Sequence, residues 1–397
     1  MFVLATSIAT LTAVTWSYLV LARGSFWRTK SANPDAREQT GFSGGVLAVI
    51  PARNEAELIG SVVTSLLNQN VALPIVLVDD ESTDGTADVA RRAAEKAGKA
   101  DALIMIRSKP LPAGWTGKVW SMHQGIECAR ARGINPAWLL LTDADVVHGP
   151  DTVTSLGLIA SQCHYDLVSF MVKLRCESHA EKLLIPAFVY FFFMLYPPAW
   201  IRNTRRSTAG AAGGCMLVRA ETLERIGGLE AIRGAVIDDC ALAGLLKRHG
   251  GRLWLGLTDQ SRSLRRYETF SHIEQMISRT AFNQLKHSSL LLLGTIAGMV
   301  ITYLAPPLLL LTRSRPAMFM GAAAWTAMTI TYSNMVRYYR LNPSWALTLP
   351  LAALFYLWAT IHSAVKYWNG AGGEWKGRVQ DVRDQEVQDP HVAETTL

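Results

Sequence analysis

An α/β domain built on a mostly parallel sheet, with apolar helices at both ends of the chain, is the fold this sequence predicts. Three observations predict it. Residues 45–69 and 73–97 form two successive strand-turn-helix units, and alternating strand and helix gives a parallel sheet with right-handed crossovers. A third apolar run, WLLLTDADVVH at 138–148, ends in Asp143 and Asp145 and is stopped by Gly149-Pro150. Half of the 397 residues are apolar, and uncharged blocks near both termini are long enough for a bilayer.

The net charge of +7 is spread along the chain, and no recognition-helix or base-stacking motif accompanies it, so nucleic acid is not an expected partner. Attraction to anionic lipid head groups is the reading that fits. The five cysteines, at 128, 163, 176, 215 and 240, form no close pair, which argues against a zinc site or a disulfide framework and suits a reducing cytoplasm.

Residues 1–22 carry no charge, and Arg23, Arg28 and Lys30 follow. This reads as a membrane anchor over 1–23 whose C-terminal flank stays in the cytoplasm, rather than as a cleaved signal peptide. A polar linker, 24–44, leads into a domain spanning 45–285. Its strands at 45–50, 73–78 and 138–142 each end at polar groups: Pro51-Ala-Arg-Asn-Glu55, Asp79-Asp80, and Asp143 with Asp145. Ligands of such sheets bind beyond the carboxyl ends of the strands. In an extended stretch Asp143 and Asp145 would share a face, where two anions call for a cation. Mg²⁺ or Mn²⁺ accepts such ligands and keeps positions free for a diphosphate. The plainer alternative is a polar strand end.

The runs VIPARNE, VLVDDESTDGT, LLLTDAD and AIRGAVIDDCAL resemble the inverting family 2 glycosyltransferases, which have a Rossmann-like nucleotide-sugar-binding domain of the GT-A type. LPAGWTGK, MVKLRCESHAEKLLIPAFVYFFFMLYPPAW, AAGGCMLVR and GGEWKGR resemble more narrowly the membrane glycosyltransferases associated with hopanoid biosynthesis in bacteria. The resemblance implies that Asp79 and Asp80 hold the base and ribose of a uridine nucleotide, beside Pro51, Arg53 and Glu55. It makes Lys118 a neighbour of the nucleotide-sugar and Asp145 the metal ligand on its diphosphate. Asp143 then supports the metal or reaches the ribose. Asp239, second of the acidic pair, becomes the catalytic base, and Asp238 a helix-start acid beside it. Residues 275–280, QMISRT, fall where relatives carry Gln-x-x-Arg-Trp; the tryptophan is absent, and Arg279 is left to balance the diphosphate. Some relatives have a further ligand where this chain has Val147. His148 is expected to be a strand-end histidine and Asp84 a helix cap.

The apolar segment 183–201 cannot cross a bilayer once if Asp145 and Asp239 serve one site, so it is expected to lie at the interface or to dip in and return; a buried helix of the soluble domain is the plainer alternative. Residues 286–368 hold three candidate spans, 288–311, 317–336 and 345–365. A re-entrant first span, broken at Pro306-Pro307, would return the basic end to the cytoplasm, followed by a polar tail at 369–397. Few ionisable residues within the spans argue against a transporter or channel. The expected activity is metal-dependent transfer, with inversion, from a UDP-linked sugar to a lipid acceptor at the bacterial inner membrane, hopanoid or a related glycolipid. Polyprenyl-phosphate or ceramide-like acceptors, or a non-catalytic nucleotide-binding role, are the alternatives.

Overall fold

The computed structural model describes residues 2–28, 30–31, 44–370, 374–375 and 378–379. Most of the expected linker and tail, and half of GGEWKGR, lie outside the described residues. The chain forms two compact units, one of residues 30–174, 201–265 and 373–397, the other of residues 1–29, 175–200 and 266–372.

The first helix, α1 (Phe2–Leu21), belongs to the second of these. The α/β unit starts at β1 (Val46–Ala52) and continues through α2 (Ile59–Leu67), β2 (Ile75–Asp79), α3 (Thr86–Lys96), β3 (Leu103–Arg107), α4 (Gly117–Ala131) and β4 (Trp138–Thr142). After β5 (Val146–His148), α5 (Thr152–Gln162) and β6 (Leu167–Lys173), the chain enters the other unit as α6 (His179–Leu195) and returns along α7 (Pro198–Arg202). Then come β7 (Cys215–Arg219), α8 (Ala220–Arg225), α9 (Asp238–Arg248) and β8 (Leu253–Ser263).

The sheet order is β3-β2-β1-β4-β7-β6-β8-β5. β3, β2, β1 and β4 are mutually parallel, while β7 runs against both β4 and β6 and β5 runs against β8. The sheet is therefore mixed, though mostly parallel. β1 is wholly buried between its neighbours, as expected of a strand covered on both faces. From β1 the chain winds outward through β2 and β3, then returns to the other side of β1 as β4. This reversal opens a crevice at the carboxyl ends of β1 and β4. Gly125 of α4 lets that helix seat on the strands, because a Cβ there would lie 2.6 Å from Val49.

The apolar unit continues after residue 265 with α10 (Phe270–Ser278), α11 (Ala281–Gln284), α12 (Ser289–Met299), α13 (Ala305–Leu309), α14 (Arg315–Tyr338) and α15 (Leu349–Trp368). Among the described residues, four helical stretches are long and apolar enough to cross a membrane: Val3–Leu21, His179–Arg202, Ser289–Leu309 and Pro343–Trp368.

Two expectations need correction. Segment 183–201 and residues 266–285 group with the apolar helices rather than with the sheet. Their aromatic and polar faces pack there: Tyr190 lies 5.3 Å from Tyr332 and meets Thr331 Oγ1 at 2.8 Å, and Lys366 binds Glu274. The helix is not broken at Pro306-Pro307, because a π-helical stretch, Val300–Leu304, absorbs the missing donors and helix resumes to Leu309. The 317–336 segment is helical, within α14, and stands outside those four stretches because small and hydroxylated residues lower its hydropathy.

Candidate active site

The polar groups at the carboxyl edge of the sheet fall into three clusters, each around one cation. Arg53, just past β1, donates to the Asp80 carbonyl at 2.7 Å and pairs with the Asp80 and Glu81 carboxylates at 3.6 and 3.8 Å. The turn after β2 is knitted to the turn after β1. Ser82 N donates to Asp79 Oδ1, Thr83 N to Asn54 Oδ1, and Ala56 N to Asp84 Oδ2. Asp84 also accepts from Thr86 N at 3.0 Å and Thr86 Oγ1 at 2.6 Å, a local turn that ties down the entry to α3 from one residue ahead of its N-cap, Gly85, rather than the cap itself. Gly85 between them has φ +85°, the left-handed conformation glycine adopts at least cost. Pro51 is buried within β1 opposite Val78.

Lys118, in the first turn of α4, is the second centre. Its Nζ lies 2.9 Å from Asp143 Oδ1 and 3.2 Å from Asp238 Oδ2. Burial works against its charge, but Asp143, Asp238 and Asp239 outweigh that and hold its pKa well above the usual lysine value. Asp239, in the first turn of α9, accepts from Gly213 N and Cys240 N, both at 2.7 Å. Burial first, and then the Asp238 charge, push its pKa up to about 6 against the opposing pull of Lys118 and the two N–H groups.

A Cβ on Gly213 would stand 3.2 Å from both Asp239 Oδ2 and Lys118 Nζ. Gly213→Ala should therefore displace the Asp239 carboxylate by a fraction of an ångström while the fold stands. Turnover is expected to fall by up to roughly 10²-fold with donor affinity nearly unchanged, read as a kcat loss without a matching KM change.

Arg265 is the third centre. Its Nε donates to Asp145 Oδ2 at 2.9 Å and its Nη2 to Glu55 Oε1 at 2.5 Å, while Ser263 Oγ donates to the same Asp145 oxygen. Asp143 and Asp145 do not share a face of an extended strand. The backbone turns at 144–145, so the two acids go to different cations, and β5 then continues as the partner of β8. His148 is a buried structural imidazole, between Thr142 Oγ1 at 2.8 Å and Ser261 Oγ at 2.9 Å, and burial pushes its pKa down to about 4. Arg279 belongs to the other unit, exposed at the end of α10, and stands four residues after Gln275 rather than three.

Arg265 and Ser263 were not legible as site residues. Arg265 is one of two adjacent arginines after a strand, and only the fold sets it against Asp145, 120 residues earlier. No group of three or more His, Cys, Asp or Glu side chains among the described residues is placed to enclose a metal ion.

Residues 44–279 match the profile of the family described as Glycosyltransferase like family 2. The chain belongs to this family. A 4,4'-diaponeurosporenoate glycosyltransferase of Staphylococcus aureus is 33% identical over 98 residues, 25% of this chain and 23% of the relative. The chain thus spans about a quarter of the length of the curated relatives it matches. Among solved structures, a mannosyltransferase from Pyrobaculum calidifontis in complex with GDP-Man and Mn²⁺ aligns with 92% of this chain and 99% of its own, at 21% identity and a TM-score of 0.53. The fold of this family 2 chain is of the GT-A type, with its three charged clusters at the carboxyl edge of the sheet.

Proposed function

We propose that the chain is an inverting glycosyltransferase that moves a sugar from a nucleotide-linked donor, UDP-sugar by preference, to a hydroxyl of a lipid. The observation that carries this reading is the Asp239 carboxylate, fixed by two backbone N–H groups beside Lys118 in the first turn of α9. Asp239 takes the proton of the acceptor hydroxyl as that oxygen bonds to the anomeric carbon and the bond to the nucleoside diphosphate breaks. Attack from the face opposite the leaving group inverts the centre, and no covalent sugar-protein intermediate forms. Asp79 and Asp80 accept hydrogen bonds from the base and ribose, with Pro51, Arg53 and Glu55 shaping that end of the crevice.

The donor set suits a divalent ion held partly by substrate. Mg²⁺ and Mn²⁺ sites of this kind need only one or two carboxylates besides the phosphates. Both bonds from Ser263 and Arg265 go to Asp145 Oδ2, which leaves Oδ1 for the metal, and Asp143 is the second candidate ligand. When bound, the ion neutralises the charge developing on the diphosphate. Arg265 and Lys118 keep the carboxylates apart and oriented, and Arg279 is the remaining candidate for balancing the leaving group. Asp145→Asn is expected to weaken Mn²⁺-dependent UDP binding by at least roughly 10- to 100-fold without unfolding the protein. Titration calorimetry with and without Mn²⁺ checks this, and full activity in excess chelator would sink the metal role.

The lipid acceptor is supported by the apolar helices and by the relative named for 4,4'-diaponeurosporenoate. A hopanoid or related glycolipid of the bacterial inner membrane is the acceptor we favour, with the sheet unit on the cytoplasmic side where Arg23 and Arg28 flank α1. The deciding experiment incubates purified protein with a panel of UDP- and GDP-sugars and lipid extract, and identifies the product and its anomeric configuration by mass spectrometry and NMR. Donor consumption without glycolipid would refute the acceptor, and no turnover of any donor would refute the enzyme.

A further inference from the structure

We infer that α15, although long and apolar enough to span, does not cross the bilayer: it is embedded in the leaflet on the side of Arg28, with one face against lipid. The inference rests on the membrane placement proposed above and not on the sugar-transfer reading.

The large apolar residues that α15 leaves exposed are Leu351, Leu354, Trp358, Ile361, Val365 and Trp368, each 38–60% accessible. Their spacing of three and four lays them along a single stripe of the helix. One flank of α15 packs on α10 and α11 over residues 355–368, and another on α6 and α12, where Tyr356 Oη donates to the Leu184 carbonyl at 3.0 Å and Ala364 clusters with Leu292. Phe355 meets Phe270, His362 and Lys366 bind Glu274 at 2.8 and 3.0 Å, Ser363 Oγ accepts from Phe282 N at 3.1 Å, and Tyr367 meets Phe282 edge-on.

Apart from Phe270, the residues α10 and α11 expose are polar: Ser271, His272, Gln275 and Gln284, with Arg279 and Lys286 just past the two helix ends. In the hydrocarbon layer such a surface, charged groups included, would cost several kcal/mol. The stretch of α15 alongside it, residues 355–368, is about 20 Å long and therefore lies at head-group depth. Only residues 349–354, about 9 Å of helix, remain for a layer of roughly 30 Å. A helix with one apolar stripe and a polar flank is the form that lies in an interface.

The crossing is made instead by helices that pack lengthwise. α14 follows α1 from Ala317 beside Ala9 to Asn334, whose Nδ2 donates to the Trp27 carbonyl at 2.8 Å. Gly321 admits α13 closely, since a Cβ there would lie 2.7 Å from Leu309. Small residues at such contacts lower the hydropathy of α14 while giving it the close-packing surface of a crossing helix. α14 thus ends on the Arg28 side, and α15 starts there.

Sided labelling tests this in the full chain, with exposed Cys163 replaced by Ser. In right-side-out and inside-out vesicles, Arg28→Cys, Arg337→Cys and Asn369→Cys should all react with an impermeant maleimide from the same side. Reaction of Asn369→Cys from the side opposite Arg337→Cys would overturn the inference. Spin labels at Leu351→Cys, Trp358→Cys and Trp368→Cys in nanodiscs give a second readout that does not depend on topology of the termini. Contact with oxygen rather than an aqueous nickel complex, level or changing steadily along the helix, is expected. A maximum at position 358 falling toward both ends is the profile of a span, and preferential contact with the nickel complex would place the stripe in water; either would refute it. Donor turnover by the same variants reports separately on the proposed function.

Discussion

Asp239→Asn is expected to slow sugar transfer by roughly 10²- to 10⁴-fold, the contribution of a positioned general base, while donor and metal binding persist. The carboxylate is held at both oxygens by backbone donors, so the amide keeps the volume but sets its NH2 against one of those N–H groups, and the variant loses the basic oxygen together with one of the two anchoring hydrogen bonds. Asp238→Asn should do less to the maximal rate. Asp238 faces Lys118 and acts on Asp239 through charge, so its removal lowers the Asp239 pKa and moves the acid limb of the pH profile downward. In the unaltered protein that limb is expected near 6, with transfer lost as pH falls through it. Stability responds in the opposite sense. A carboxyl group whose folded pKa is raised contributes stability that is fully present below its unfolded value and is lost as pH rises through about 6. Rate profiles and thermal melts over pH 4.5–8, an interval of roughly two units either side of that value, separate the two. A fast Asp239→Asn variant, or a product with retained configuration, would remove Asp239 as the base.

The parts of this architecture that were legible in the sequence are those written in short-range pattern. Buried parallel strands are continuous apolar runs, and the acids that end them at Asp79, Asp80 and Asp143 mark the carboxyl edge directly, because a charge cannot continue such a strand. Long-range pairing left no such mark. The antiparallel insertion of β7 between β4 and β6 depends on which edge is open when the chain returns from α7, and nothing in Cys215–Arg219 declares a direction. The Asp143–Asp145 spacing suggested a shared face because period-two alternation was assumed, whereas the strand ends at Thr142 and the backbone turns.

Lys118→Met carries the second large effect. Lys118 Nζ pairs with both Asp143 and Asp238, and Asp239 also acts on it electrostatically. Removing one partner of a buried ionic cluster leaves the remaining charges uncompensated, which costs roughly 3–5 kcal/mol. The protein is expected to lower that cost by taking up protons, so the Asp239 pKa should rise above 6 and the acid limb move upward, the reverse of the shift expected for Asp238→Asn. At pH 7 the base would then be largely protonated and transfer slow, with partial recovery at higher pH. Combining Lys118→Met with Asp238→Asn removes one positive and one negative charge together, and should return both the melting temperature and the acid limb part of the way. A double variant no better than Lys118→Met alone would show that Lys118 acts on the bound donor and not on the carboxylates around it.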